Sequence, residues 1–461
     1  MGVGVSSWQL ARSVARAGQL GVVSGTALDV TLARRLQDGD EGGHLRRALA
    51  AFPDQEMAGR VLDRYLLTGG RAPGRPYRPV PKLTLRPSRE GQELAVLGNF
   101  SEVWLAKEGH HGLVGVNYLE KIQLATPSAV LGAMLAGVDV VLMGAGVPRE
   151  IPQLLSDLAA ARVGSVGVDV QGAAEPHRVG VDPAALLGEC LPTLRRPRFL
   201  AIVSATVLAA YLVRDEATRP DGFVIEGHRA GGHNAAPRGR LQLDDDAQPV
   251  YGPRDVVDAA KIAELGLPFW LAGGHGTPEG LAAALAAGAA GIQVGSVFAL
   301  AAESGLRADL RERVLEGLVG DSLEVRTDVR ASPTGFPFKV TRLTGTLAET
   351  EAYENRTRVC DLGYLRTPYL TDTGSVGYRC PAEPVHMYRR KGGEVADTTG
   401  RVCLCNALTA DVGLGQTRRD GSVEPGLVTL GEDLTGARRL ARRHPDGWTT
   451  ADVLAWLAPT G

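Results

Sequence analysis

The stretch Gly222-Phe223-Val224-Ile225-Glu226-Gly227-His228-Arg229-Ala230-Gly231-Gly232-His233-Asn234 decides the fold. It opens as an apolar run and leaves through a loop rich in glycine and histidine. A strand apolar on both faces belongs to a parallel sheet sandwiched between two layers. Small and polar residues at its carboxyl end are what a ligand-binding rim requires. Paired glycines let backbone N–H groups approach a phosphate, and a histidine just beyond them offers a proton acceptor near neutrality. A solvated glycine loop is the competing reading of the same letters.

Working outward, the same shape recurs at 20–25, 113–118, 138–144, 199–205, 269–274 and 291–296, nearly always ending in Gly, Ser or Asn. Helical patterns fall at 8–17, 128–136, 151–161, 255–265 and 278–287. The last has Thr277 as N-cap, Pro278 at its first position and Glu279 in its first turn. This alternation is the signature of βα units. Barrel enzymes commonly hold phosphate in the loops after their last two strands. Here those loops carry Gly273-Gly274-His275 and Gln293-Val294-Gly295-Ser296. Seven strands suit an open sheet, whereas a closed (β/α)8 barrel requires an eighth. The opening MGVGVS reads as a glycine turn entering a helix, so the first strand is expected upstream of Met1.

Composition narrows the class. Lys and Arg number 50 against 52 Asp and Glu, a net charge of -2, which argues against a nucleic-acid binder. Hydrophobic residues at 44% and charged residues at 22% suit a globular chain. The 59 glycines in 461 residues are nearly twice the usual share of about 7%. No apolar run approaches a membrane span of ~18 residues, and the N-terminus has no secretory pattern. Five cysteines, an odd count in a long chain, suit a reducing cytoplasm.

Two regions depart from the repeat. A crossover insertion, about 40–95, contains helical patches at 44–52 and 57–67 and a Pro/Arg/Gly-rich connector at 69–89, expected to form a lid or subunit contact. Beyond about 330 the rhythm stops. The expected division is a catalytic barrel over 1–330 and an extension over 331–461 holding Cys360, Cys380, Cys403 and Cys405. Four thiols could ligate zinc or an iron–sulfur cluster, but their spacing lacks paired C-x-x-C knuckles, so buried free thiols are expected and no metal site is assigned. Cys190 reads as a core residue, and His110–His111, the Asp244–Asp246 run and the Arg438–Arg443 cluster as solvated surface. A helix is expected over 450–457, capped by Thr449.

The combination of MGVGVS, GVVSGT, GVN, the AGGH loop, LAGG and QVGS, in that order from Met1 to about Ala302, resembles the FMN-dependent nitronate monooxygenases, formerly 2-nitropropane dioxygenases. Flavin-type enoyl-acyl-carrier-protein reductases are related to them. The resemblance implies a (β/α)8 TIM barrel with FMN across the strand ends. It implies His233 as catalytic residue, with Gly2 bordering the flavin ring, Asn117 on the ring or ribityl chain, and Glu226 beside the ring. Gly231, Gly232, Gly273, Gly274 and Gln293, Val294, Gly295, Ser296 would hold the phosphate end. The family usually has Gln where Glu226 stands and Glu where Arg229 stands, which puts the substrate pocket in question. The implied activity is oxidation of alkyl nitronates or nitroalkanes by O2 through a histidine and a flavin. The alternatives are an FMN-dependent enoyl reductase acting on a thioester, with a nicotinamide as reductant, and a non-catalytic flavin-binding assembly or sensing module. The implied partners are a small-molecule substrate and O2, neither nucleic acid nor membrane, with homo-oligomerisation open.

Overall fold

The computed structural model describes residues 2–458; Met1 and 459–461, where two of the expected domain limits fall, lie outside the described residues. Its centre is a parallel sheet of β1 (Gly21–Ser24), β2 (Val114–Leu119), β3 (Val140–Gly144), β6 (Arg198–Val203), β7 (Gly222–Glu226), β8 (Phe269–Ala272) and β9 (Gly291–Gln293), each hydrogen-bonded to the next in that order. Between β3 and β6 the chain inserts an antiparallel hairpin, β4 (Gly164–Val168) and β5 (His177–Val181). Two further antiparallel pairs follow: β10 (Val325–Asp328) with β11 (Phe338–Thr341), and β12 (Thr367–Leu370) with β13 (Val376–Arg379).

All seven strands expected in the sheet are present. Strand order follows chain order, so every right-handed crossover winds the same way. That is barrel order, whereas a doubly wound sheet reverses at a switch point. The sheet curls as a half-barrel of seven strands, with β1 and β9 as its two edges. Alternation along each strand separates its faces. Leu142, Leu200, Ile202, Val224 and Ala272 pack together on the concave side with Val22 and Trp270 against them. Val116, Val141, Phe199, Phe223 and Phe269 join the main core beneath the helices.

The helix Pro278–Ala286 starts as expected, its Thr277 side chain accepting from the Gly280 N–H. Thr450–Leu457 has a full capping box of Thr449 and Asp452. The helix expected over 255–265 shrinks to Ala259–Ala263, because the Asp258 side chain caps it late. A helix of 19 residues, Arg89–Lys107, was not expected at all; it is buried along most of its length, so no amphipathic stripe marks it. Cys190 departs from expectation too: it is exposed, at the end of the 3-10 turn Gly188–Cys190.

The connector at 69–89 is strapped to the chain's own tail. The Tyr77 N–H donates to Gln416 Oε1 at 2.8 Å, the Leu85 N–H to the Tyr378 hydroxyl at 2.8 Å, and Arg366 to the Leu83 carbonyl at 2.7 Å. The tail in turn packs into the body: Val428, Leu430, Leu434, Leu440 and Trp448 share one core cluster with Leu10, Val297 and Leu300. No described helix is long and apolar enough to cross a membrane.

Candidate functional site

Two adjoining cavities occupy the carboxyl ends of the strands. The larger, about 670 Å³, is lined by Gly2, Glu226, Gly231, Gly232, Gly273, Gly274 and the 293–296 segment. It lies within the roughly 300–1,000 Å³ range of ligand sites. It also runs down the concave face past Val22, Leu142, Leu200 and Trp270, and reaches the helices Trp8–Arg16 and Pro278–Ala286 beside the two sheet edges. The smaller, about 90 Å³, is lined by Asn117, His233 and, again, Gly2, Glu226, Gly231 and Gly232. Every residue singled out from the sequence thus meets one cavity or both.

Strand geometry explains the convergence. Asn117, Glu226 and Gln293 sit at strand ends with the parity of the concave face. Asn117 is paired in register with Ser24 on one side and Leu142 on the other. Its Oδ1 is buried without a hydrogen-bond partner. A buried orphan acceptor costs free energy unless a ligand supplies a donor. Gly273 and Gly274 have φ of +80° and +91°, a left-handed pair that exposes backbone N–H groups at the rim. A Cβ on Gly231 would stand 2.9 Å from the Leu430 carbonyl carbon, so only glycine lets the loop pass there. The donor-rich glycine rim and the orphan acceptor fit the FMN that the resemblance implies.

His233 presents its ring to the smaller cavity. Its Nε2 lies 2.6 Å from Ser332 Oγ, and the Phe338 ring meets it edge-on with centroids 5.0 Å apart. Burial, with the Lys121 ammonium nearby, pushes the imidazole down to about 3, so it is neutral throughout the physiological range. Burial pushes Glu226 up to about 7, leaving its carboxyl protonated about half the time at neutrality. Among the described residues Glu226 forms no ion pair; the Arg229 side chain lies beside Gly274. His228 stacks on Tyr251, and burial lowers His275, which lines the larger cavity.

Several contributors left no mark in the sequence because they arrive from the tail. The Gly232 N–H donates to Thr429 Oγ1 at 2.8 Å, the Gly431 N–H to Ser296 Oγ at 2.8 Å, and the Glu432 N–H to the Arg229 carbonyl at 3.0 Å. Lys339, its side chain wholly buried, donates to Glu432 and to Thr327 behind this loop. Ser332 and Phe338, which seat His233, lie about a hundred residues beyond it. Away from the site, Asp244 closes a polar turn by accepting from Asp246 and Gln248 N–H groups, and Arg438 and Arg439 pair with Asp321 and Glu279. Both remain surface features, as expected.

Residues 187–361 match the family model described as nitronate monooxygenase. That segment is similar to a nitronate monooxygenase domain. It holds His233, Glu226 and both glycine-rich rim loops, and it runs past the expected boundary at 330; Gly2 and Asn117 lie outside it. Over 144 residues the chain is 33% identical to the (3aS,4S,5R,7aS)-5-hydroxy-7a-methyl-1-oxo-octahydro-1H-indene-4-carboxyl-CoA dehydrogenase of Mycobacterium tuberculosis, covering 31% of this chain and 36% of that protein's length. Similar solved structures include nitroalkane oxidase from Streptomyces ansochromogenes, at 17% identity, TM-score 0.43 and coverage of 99% of this chain and 96% of that one. A mutant of FabK from Thermotoga maritima has 16% identity, TM-score 0.43 and coverage of 98% and 87%.

Proposed function

We propose that this chain is an FMN-dependent oxidoreductase of the nitronate monooxygenase type, oxidising alkyl nitronates with O2. The observation that carries the reading is the meeting of a neutral, Ser332-seated His233 with the unpartnered Asn117 Oδ1 in a cavity continuous with a glycine-built rim. Gly2 and Asn117 border the ring, and Gly231, Gly232, Gly273, Gly274 and the Gln293–Ser296 backbone hold the phosphate. Bound FMN supplies the electron acceptor, and the protein supplies position and proton handling. A nitronate is an anion, and the Lys121 ammonium beside His233 gives it an attractive field. His233 orients the substrate by hydrogen bonding in its neutral form. Glu226, which changes protonation near neutrality, is the group suited to exchanging a proton with the site.

A second reading, redox chemistry on an acyl thioester, draws support from the matched Mycobacterium tuberculosis relative, whose name denotes a carboxyl-CoA substrate, and from the length of the larger cavity. Purified protein mixed anaerobically with propyl-1-nitronate, and separately with NADH or NADPH, separates the two. Bleaching of the bound flavin by the nitronate supports the first reading, and bleaching only by nicotinamide supports the second. His233→Asn is expected to keep flavin and lose about 100-fold or more in turnover. A colourless protein that does not take up FMN would overturn both.

A further inference from the structure

The tail brings four cysteines, spread from 360 to 405, into one place. Cys380 and Cys403 are buried and pack with Ala382, and Cys360 and Cys405 close against them. They arrive on three separate segments: the loop after Arg356, the turn leaving β13, and the helix Leu404–Ala410, for which Cys403 is the N-cap residue and Cys405 lies in the first turn. A packed core does not require sulfur at all four of these positions, since alanine or valine would fill them.

Polar and charged side chains reach the cluster. Cys403 Sγ accepts from the Asn406 side chain at 3.4 Å. Such N–H···S bonds tune metal-bound sulfur. The Lys82 ammonium donates to the Cys360 carbonyl at 2.8 Å, and the Arg356 guanidinium, paired with Glu424, acts on Cys403 through its charge.

We propose that Cys360, Cys380, Cys403 and Cys405 ligate a single zinc ion. Four sulfurs about 2.3 Å from one zinc stand roughly 3.8 Å from one another. Among the described residues no three ligands are already set in coordination geometry, so the ion displaces the thiol protons and draws the side chains inward. The knot is compact: neither cavity described above touches more than Cys405 of the four. The ion would tie together the segments that roof the His233 cavity, because Tyr364, Leu365, Leu404 and Cys405 line it.

The test is metal analysis of the full chain as purified, before any variant is made. About one zinc per chain is expected, together with loss of thermal stability on chelation and recovery when zinc alone is returned. Cobalt in its place is expected to give thiolate charge-transfer absorption. Cys380→Ser and Cys405→Ser are each expected to lower zinc at least fivefold, whereas Cys190→Ser, at the exposed cysteine, leaves it unchanged. Zinc below about a tenth per chain, iron with inorganic sulfide, or a Cys360–Cys380 disulfide found by mass mapping would each overturn the proposal. All three readings are available from the unmutated protein.

Discussion

Glu226 shows how a single residue departs from its surroundings without leaving its place. Its strand, its register and its inward direction follow from alternation, yet its carboxyl has left the range of an exposed acid because burial disfavours the charge. The unfolded group titrates near 4.5 and the folded one near 7, so the folded state binds more protons between those values. Stability is therefore lost as pH rises from about 4.5 through 7. Glu226→Gln removes that loss: the variant is expected to be more stable than the parent at pH 8, with the difference vanishing near pH 4. Urea midpoints at the two pH values check this, and a variant no more stable at pH 8 refutes it. His233 was legible as a site residue from its glycine neighbours. Its neutrality was not, because that depends on Lys121 and on burial by the tail.

At the scale of elements, the rim owes its shape to turns that only particular residues permit. Gly274 holds a φ of +91° at the carboxyl end of β8. The space around a Cβ there is adequate, with Arg229 Cδ at 3.4 Å, so strain rather than collision is the obstacle. Gly274→Ala is expected to cost about 1–2 kcal/mol and to weaken FMN retention more than it lowers stability. Paired denaturation and flavin titrations measure both, and unchanged flavin affinity would remove this loop from the phosphate end. The seven sheet strands were readable because burial on both faces makes them apolar runs. The hairpin of β4 and β5 was not, since its strands are short, glycine-bearing and paired only with each other. The helix Arg89–Lys107 hid for the opposite reason, being buried nearly all round.

Across the whole molecule, the tail completes both the core and the site. Trp448, 2% exposed, fills a cluster with Val297 and Leu300, and its indole N–H donates to the Val297 carbonyl at 2.7 Å. Trp448→Ala is expected to cost about 3–5 kcal/mol, seen as a lower denaturant midpoint. Because Val297 follows Ser296, flavin retention is expected to fall with it. A loss under about 1 kcal/mol would mean that the tail only rests on the body. The bonds from Thr429, Gly431 and Glu432 to the rim loops tie the same segment to the candidate site.

By itself the sequence determined the βα rhythm, the seven strands of the sheet, the loops that line the cavities and the histidine among them. Those features repeat locally: strand burial, capping and glycine turns act over a few residues and leave a pattern in the letters. Only the tertiary structure decided the neutrality of His233, the raised Glu226, the tail residues seated on the rim and the meeting of four distant cysteines. Each of those depends on which groups come together from separate stretches of the chain, or on how much water they exclude, and chain order records neither.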